Sequence, residues 1–213
     1  MKDRIADLRK SYETGELEEH HAHAEPFEQF RAWFQHALNG GVPEPNAMTL
    51  ATAGTDGVPS ARMVLLKAVD ARGFVFFTNL ESRKARELSA RPAAALVFFW
   101  AELERQVRVE GTAEAVSRAE AERYFASRPR GSRLGAWASR QSDRAGSRAE
   151  LEAQLKRREE EYRDRDIPTP PFWGGFRVLP HTVEFWQGRE NRLHDRLVYS
   201  GRGSAWSVGR LQP

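Results

Sequence analysis

Cysteine is absent from all 213 residues, so disulfides, thiolate metal ligands and cysteine nucleophiles are excluded together. No apolar run approaches the ~20 residues of a membrane span, and the polar N-terminus lacks a signal-peptide pattern. The expectation is a soluble, cytoplasmic protein with no membrane partner. An excess of one charge is missing too: 33 Lys plus Arg face 30 Asp plus Glu, a formal +3 spread along the chain, which argues against a nucleic-acid partner. The sequence has no GxGxxG, P-loop, HExxH or GxSxG, which disfavours Rossmann dinucleotide binding and the common hydrolase layouts. Lysine occurs only at 2, 10, 67, 84 and 156, every other basic residue being arginine. Lys67 and Lys84 fall inside the motifs described below.

What is present reads as one mainly β domain over 26–213 with flanking helices, preceded by a flexible arm over 1–25. In the arm, Ile5, Leu8 and Tyr12 stand at helical spacing before an acidic linker. His20, His21 and His23 lack a carboxylate or thiol framework at ligand spacing, so they read as solvated linker and no metal site is expected. Pro26 opens a helix with an apolar stripe of Phe27, Phe30, Phe34 and Leu38, closed by Gly40-Gly41. Strands follow at 48–52 and 60–67 around an Asp56-Gly57 turn, then at 74–78. Ser82 is expected to cap a short helix, and 93–100 to be a strand buried on both faces. Residues 104–116 alternate, with Val107 and Val109 opposite Gln106, Arg108 and Glu110. Ser117 with Glu120 and Ser147 with Glu150 are capping boxes, while Ser132 can cap a helix after the Pro129 break. A last strand is expected at 205–211. Short antiparallel strands joined by tight turns point to a barrel or meander.

Three clusters carry chemistry. Arg62, Lys67, Arg83 and Lys84 sit at strand ends or at a helix start, with the Thr78 hydroxyl nearby, where backbone N–H groups and the helix dipole favour an anion. A strict pleat puts Arg62 and Lys67 on opposite faces, so one of them must escape at the strand end. Tyr124 and Arg128 form an i, i+4 pair with Ser132 one turn on, a donor set suited to a phosphate. Finally, 183–187 alternates as a strand, and a second strand expected over 192–199 would put Arg192, His194 and Arg196 on one face near Trp186. Two guanidiniums around an imidazole suit a flat anion. A solvated helix start, a common aromatic–arginine pair and a charged edge strand are the bland alternatives for the three.

Taken together, RMVLLK at 62–67, FFTN at 76–79, SRKA at 82–85, RQVRVEG at 105–111, YFASRP at 124–129, SRQS at 139–142 and EFWQGRENRLHDR at 184–196 resemble the pyridoxine/pyridoxamine 5′-phosphate oxidase family. The resemblance runs from about Phe27 to the C-terminal RLQP. It implies a homodimeric, FMN-binding split β-barrel of antiparallel strands. The implied reaction oxidises pyridoxine or pyridoxamine 5′-phosphate to pyridoxal 5′-phosphate, with hydride passed to FMN and oxygen reduced to hydrogen peroxide. Arg62, Met63, Val64, Leu65, Leu66, Lys67, Phe77, Thr78, Arg83 and Lys84 would line the FMN, with Gln106, Gln141, Ser142, Trp186 and Arg196 completing that shell. Lys67, Tyr124, Arg128 and Ser132 would hold the substrate phosphate, and Arg192 and His194 would act at the pyridine ring. Phe77 puts a phenyl ring where relatives can carry a tyrosine. The family's arm can close over substrate, which here falls around Arg9 to Tyr12. Rival readings are another FMN-binding reductase or stress-related binder of the same barrel, and a non-catalytic pyridoxal phosphate carrier.

Overall fold

The computed structural model describes residues 11–13 and 15–213; the expected arm helix around Ile5 and Leu8 lies outside them. Helix α1 spans Pro26–Asn39, and strands β1 (Ala47–Ala53), β2 (Pro59–Leu65), β3 (Ala68–Val69) and β4 (Phe74–Asn79) follow. Then come α2 (Arg83–Ala90), β5 (Ala93–Trp100), β6 (Arg105–Ala115), α3 (Arg118–Ser127), α4 (Arg130–Ala138) and α5 (Arg148–Glu161). The long β7 (Trp173–Gln187), β8 (Asp195–Arg202) and β9 (Ala205–Arg210) finish the chain. All strand pairs are antiparallel, in the order β2-β1-β5-β6-β7-β4-β3 with β8 and β9 branching from β7.

β7 explains that branching. Its residues 176–187 pair with β6, 173–178 with β4 and 182–187 with β8. A bulge between Glu110 and Gly111 of β6 marks the changeover. A Cβ on Gly111 would lie 2.2 Å from the Leu179 carbonyl oxygen, so only glycine permits that approach. Beyond β2 the Lys67 N–H donates to the Val75 carbonyl, which brings β2 against β4 and closes the barrel. The core runs through it: Phe30 packs 4.9 Å from Phe74 and 5.1 Å from Phe98, and Trp33 lies 5.3 Å from Phe185. A second apolar cluster, including Phe125, Leu134, Tyr162 and Trp173, ties α3, α4 and the end of α5 to the start of β7.

Several expectations need correction. α1 buries Phe27, Phe30, Trp33 and Ala37, while Leu38 is 50% exposed, so the buried stripe is rotated from the expected one. β5 is buried on one face only: Leu96, Phe98 and Trp100 point inward, and Phe99 is 57% exposed. Its outer face continues with Met63 and Leu65 of β2, leaving an apolar surface that no part of the chain covers among the described residues. Ser82 precedes α2 as expected, yet its hydroxyl donates to the Asn79 carbonyl instead of capping the helix. Ser132 lies inside the first turn of α4, after Pro129. By contrast Ser117 and Ser147 each accept the N–H three residues on.

The described part of the arm is strapped to the sheet. Leu17 is buried, its N–H donates to Asp195 and its carbonyl accepts from Arg210. Tyr199 donates to the His23 carbonyl. Among the described residues no His, Asp or Glu cluster could hold a metal, and no helix is long and apolar enough to cross a membrane.

Candidate active site

A cavity of about 1000 Å³ opens where β2, β4, α2 and α4 converge. β2 contributes Arg62, Met63, Val64 and Leu65, and Lys67 joins them because the strand ends at Leu65. That end frees Lys67 from the pleat, so the opposite-face conflict with Arg62 does not arise. Leu66 departs from the group and packs into the core. β4 contributes Phe77 and Thr78, the start of α2 Arg83 and Lys84, and the stretch after α4 Gln141 and Ser142. Tyr124, Arg128 and Ser132 line the same space. Arg128 sits one residue past α3 in extended conformation, so it is not the helical partner of Tyr124 that the spacing suggested.

Two cations in this cavity stand out. Lys84 is only 8% exposed, and its ammonium donates to Thr78 Oγ1 at 3.2 Å and Gln141 Oε1 at 2.9 Å, both neutral. Burial first, and then the Arg62 charge, push its pKa down. Arg128 lies 4.2 Å over the Trp173 ring, and its Nη1 is buried without a hydrogen-bond partner among the described residues. Burial lowers its pKa as well. A buried donor left unpaired costs about 1–3 kcal/mol, more when charged, so both groups favour an anion entering from the cavity. The first amide of α2 is already engaged: Arg83 N–H donates to Ser142 Oγ at 3.1 Å, with Ser142 held at φ 77°. Tyr124 stacks on Phe77 with centroids 4.1 Å apart and planes 9° from parallel, so Phe77 fixes the phenol from behind.

The remaining candidates lie elsewhere. Gln106, Trp186 and Arg196 face one another across β6, β7 and β8, and neither they nor Arg192 and His194 line the cavity. Trp186 is roughly 35 Å along β7 from Gly175, the partner of Phe77, at about 3.3 Å per residue. The strand expected from Arg192 begins only at Asp195. Residues Glu190–Arg192 form a 3-10 turn, with Asn191 at φ 55° and Arg192 at φ 61°, so the i, i+2 face argument for Arg192 and His194 fails. His194 is placed by contacts instead. Its ring sits 4.6 Å from Trp186 and 5.8 Å from Tyr12, and its Nδ1 accepts the Arg189 N–H at 3.0 Å. That bond puts the proton of the neutral ring on Nε2. Desolvation, then Arg192, lower its pKa, partly opposed by Asp195. Arg196 is committed to Glu184 through two hydrogen bonds of 2.8 and 3.1 Å.

Sequence reasoning missed two residues here. Trp173 is the platform under Arg128 and lay hidden in a Pro-Gly-rich stretch. Glu87 looked like one more charge on a polar helix, although its i, i+4 spacing from Arg83 was a usable signal.

Residues 34–161 match the family model described as pyridoxamine 5′-phosphate oxidase, and 173–213 match a pyridoxine 5′-phosphate oxidase C-terminal dimerisation region. A pyridoxine/pyridoxamine 5′-phosphate oxidase of Thermosynechococcus vestitus is 61% identical over 99% of both chains. One of Burkholderia multivorans is 60% identical over 98% of this chain and 99% of that one. Among solved structures, PhzG of Burkholderia lata, in complex with tetrahydrophenazine-1-carboxylic acid, is 32% identical with TM-score 0.89, covering 96% of this chain and all of that one. With two family models in sequence along it and full-length relatives at about 60% identity, the chain belongs to the pyridoxine/pyridoxamine 5′-phosphate oxidase family.

Proposed function

We propose that the chain is an FMN-dependent oxidase that converts pyridoxine or pyridoxamine 5′-phosphate to pyridoxal 5′-phosphate, with oxygen reduced to hydrogen peroxide. Pyridoxamine phosphate would also consume water and release ammonia. The observation that carries the reading is a pair of cations without an acidic partner facing one cavity among the described residues: the buried Lys84, and Arg128, whose Nη1 is buried and unpaired. Two phosphorylated ring compounds supply the two anions such a cavity calls for. The residues present fit FMN: Arg62, Arg83, Lys84, Thr78 and Gln141 would take its phosphate end, while Met63, Val64, Leu65, Lys67, Phe77 and Ser142 would line the rest. When bound, the flavin supplies the two-electron acceptor that no side chain of this chain offers.

The chain's own work is then binding and alignment. Lys67, Tyr124, Arg128 and Ser132 hold the substrate phosphate, with Trp173 and Phe77 keeping Arg128 and Tyr124 in place. Arg192 and His194 act at the ring, where Arg192 complements charge and His194 Nε2 carries a proton able to donate. Because that patch lies apart from the cavity within one chain, the reading includes a homodimer whose active site joins the cavity of one copy to the Gln106–Trp186–Arg196 row of the other. The uncovered apolar face of β2 and β5 gives such a dimer a surface to bury.

Purified protein should be yellow or become so with FMN, and should release peroxide with either phosphate ester but little with unphosphorylated pyridoxine. A colourless protein indifferent to FMN would sink the proposal. The PhzG relative, whose crystal structure holds a tricyclic carboxylic acid, supports a second reading in which the flat anion is a carboxylate. Faster turnover of such an acid than of the phosphate esters would favour it.

A further inference from the structure

We propose that Glu87 is a positioning residue that aims Arg62 and Arg83 at the cofactor phosphate. The inference rests on the FMN reading above and adds a carboxylate to a site otherwise built of cations. Glu87 lies on α2, 8% exposed, behind the cavity and not among the residues that line it.

Its two oxygens receive four donors from three elements. Oε2 accepts from Thr52 Oγ1 at 2.5 Å, Ser60 Oγ at 2.7 Å and Arg62 Nη2 at 3.2 Å, while Oε1 accepts from Arg83 Nε at 2.7 Å. The two hydroxyls also accept from Arg62, Thr52 from Nη1 and Ser60 from Nη2. An ionised carboxylate can only accept, so each hydroxyl gives its one proton to Glu87 and accepts from the arginine with a lone pair. The carboxylate therefore sets the direction of every bond in the network. With Leu50 O also accepting from Nη1, Arg62 is clamped at both terminal nitrogens, leaving only Nε uncommitted. Arg83 is gripped by Nε alone, and its terminal nitrogens have no hydrogen-bond partner among the described residues. That is the edge a guanidinium uses to bind two oxygens of a phosphate.

Charge bookkeeping points the same way. Arg62, Arg83 and Lys84 converge on one cavity, and their mutual repulsion in a half-buried site is unfavourable. One carboxylate among three cations leaves two positive charges, the complement of a phosphate monoester carrying about −1.5 to −2 at pH 7. Burial would raise the Glu87 pKa, yet the hydrogen bonds from Thr52, Ser60 and Arg83 outweigh it and hold the group at about 2, so it stays ionised at any working pH.

The test compares FMN with riboflavin, which carries the same ring without the phosphate. Apo-protein is titrated with each flavin by fluorescence quenching, for wild type, Glu87→Gln and Ser60→Ala, with circular dichroism confirming the fold. Glu87→Gln should weaken FMN at least about tenfold and riboflavin less than about twofold, because only the phosphate end depends on the arginines. Ser60→Ala, which removes one relay and keeps the carboxylate, should show a smaller loss of the same selectivity, and it carries the test if Glu87→Gln does not fold. Equal loss for both flavins would make Glu87 a purely structural tie and overturn the role. Unchanged or tighter FMN binding would overturn it too, the latter meaning that the carboxylate competes with phosphate. Wild type that ignores both flavins would instead remove the FMN reading, and the role with it.

Discussion

The cavity and the His194 patch are built by opposite means. Around the cavity, functional side chains sit on strands and helix starts and are held by networks, Lys84 by Thr78 and Gln141, and Arg62 by four acceptors. Around His194 they sit on a turn with two residues at positive φ, steadied by ring contacts with Trp186 and Tyr12. Any side chain on Gly188 would meet the Tyr12 ring at 2.7 Å, so the patch also depends on a glycine that lets the arm lie close. A phosphate is a fixed, remote handle and suits rigid donors. In the proposed reaction the ring would enter, align and leave, which suits a turn beneath a strap.

The largest expected effect breaks the cavity alone. Lys84→Met should weaken FMN by ~10- to 150-fold, the loss of a charge-assisted contact of about 1.5–3 kcal/mol. The same change removes a buried cation with no acidic partner, so the apo-protein should melt higher than wild type. Calorimetry with and without FMN reads both signs, and a lower apo Tm would contradict the account of Lys84. Next, Arg192→Ala and His194→Ala should each lower kcat/KM at least tenfold, about 1.4 kcal/mol, with FMN still bound. Near-normal turnover in both would return the turn to an ordinary charged surface. Arg128→Ala should chiefly raise KM for the phosphate ester while sparing flavin affinity, since its contact is remote from the reacting carbon.

The smallest effect is a shift in pH dependence. His194 has a pKa below the ordinary 6.5, so its neutral form persists as pH falls through that value, and the acid limb of kcat/KM should lie below 6.5. Burial and the Arg192 charge both lower it, while Asp195 opposes them. Arg192→Gln should therefore move the acid limb upward, toward 6.5. An unmoved limb would separate the two residues.

Legibility in the sequence divides along the same line. The barrel strands were visible because Val107 and Val109 alternate with Gln106 and Arg108, and the Asp56-Gly57 turn and the Ser117 and Ser147 caps announce themselves by local chemistry. The cavity's lining was legible because its cations stand at strand and helix ends, where a phosphate, as proposed, would be held. The start of β8 was not, because Leu193 between Arg192 and His194 imitates alternation while Asn191 and Arg192 take left-handed conformations that no spacing reports. Nor was the first half of β7, where Gly174 and Gly175 hide the strand beside Phe77 and Thr78. The stripe of α1 was misread by one position because both Trp33 and Phe34 are apolar, and only packing against Phe185 chooses Trp33. Glu87 escaped because its partners come from β1, β2 and α2, a convergence that exists only in three dimensions.

The proposal that joins the two regions is that each active site takes its cavity from one copy and its His194 patch from the other. Mixing Lys84→Met chains with His194→Ala chains, after dissociation and reassembly, tests it directly through peroxide production. If the site is shared, a mixed dimer contains one doubly damaged site and one intact site, so an equal mixture should recover roughly a quarter of wild-type activity. If instead each chain supplied both halves of its own site, every site would carry a defect and the mixture would stay as inactive as its parents.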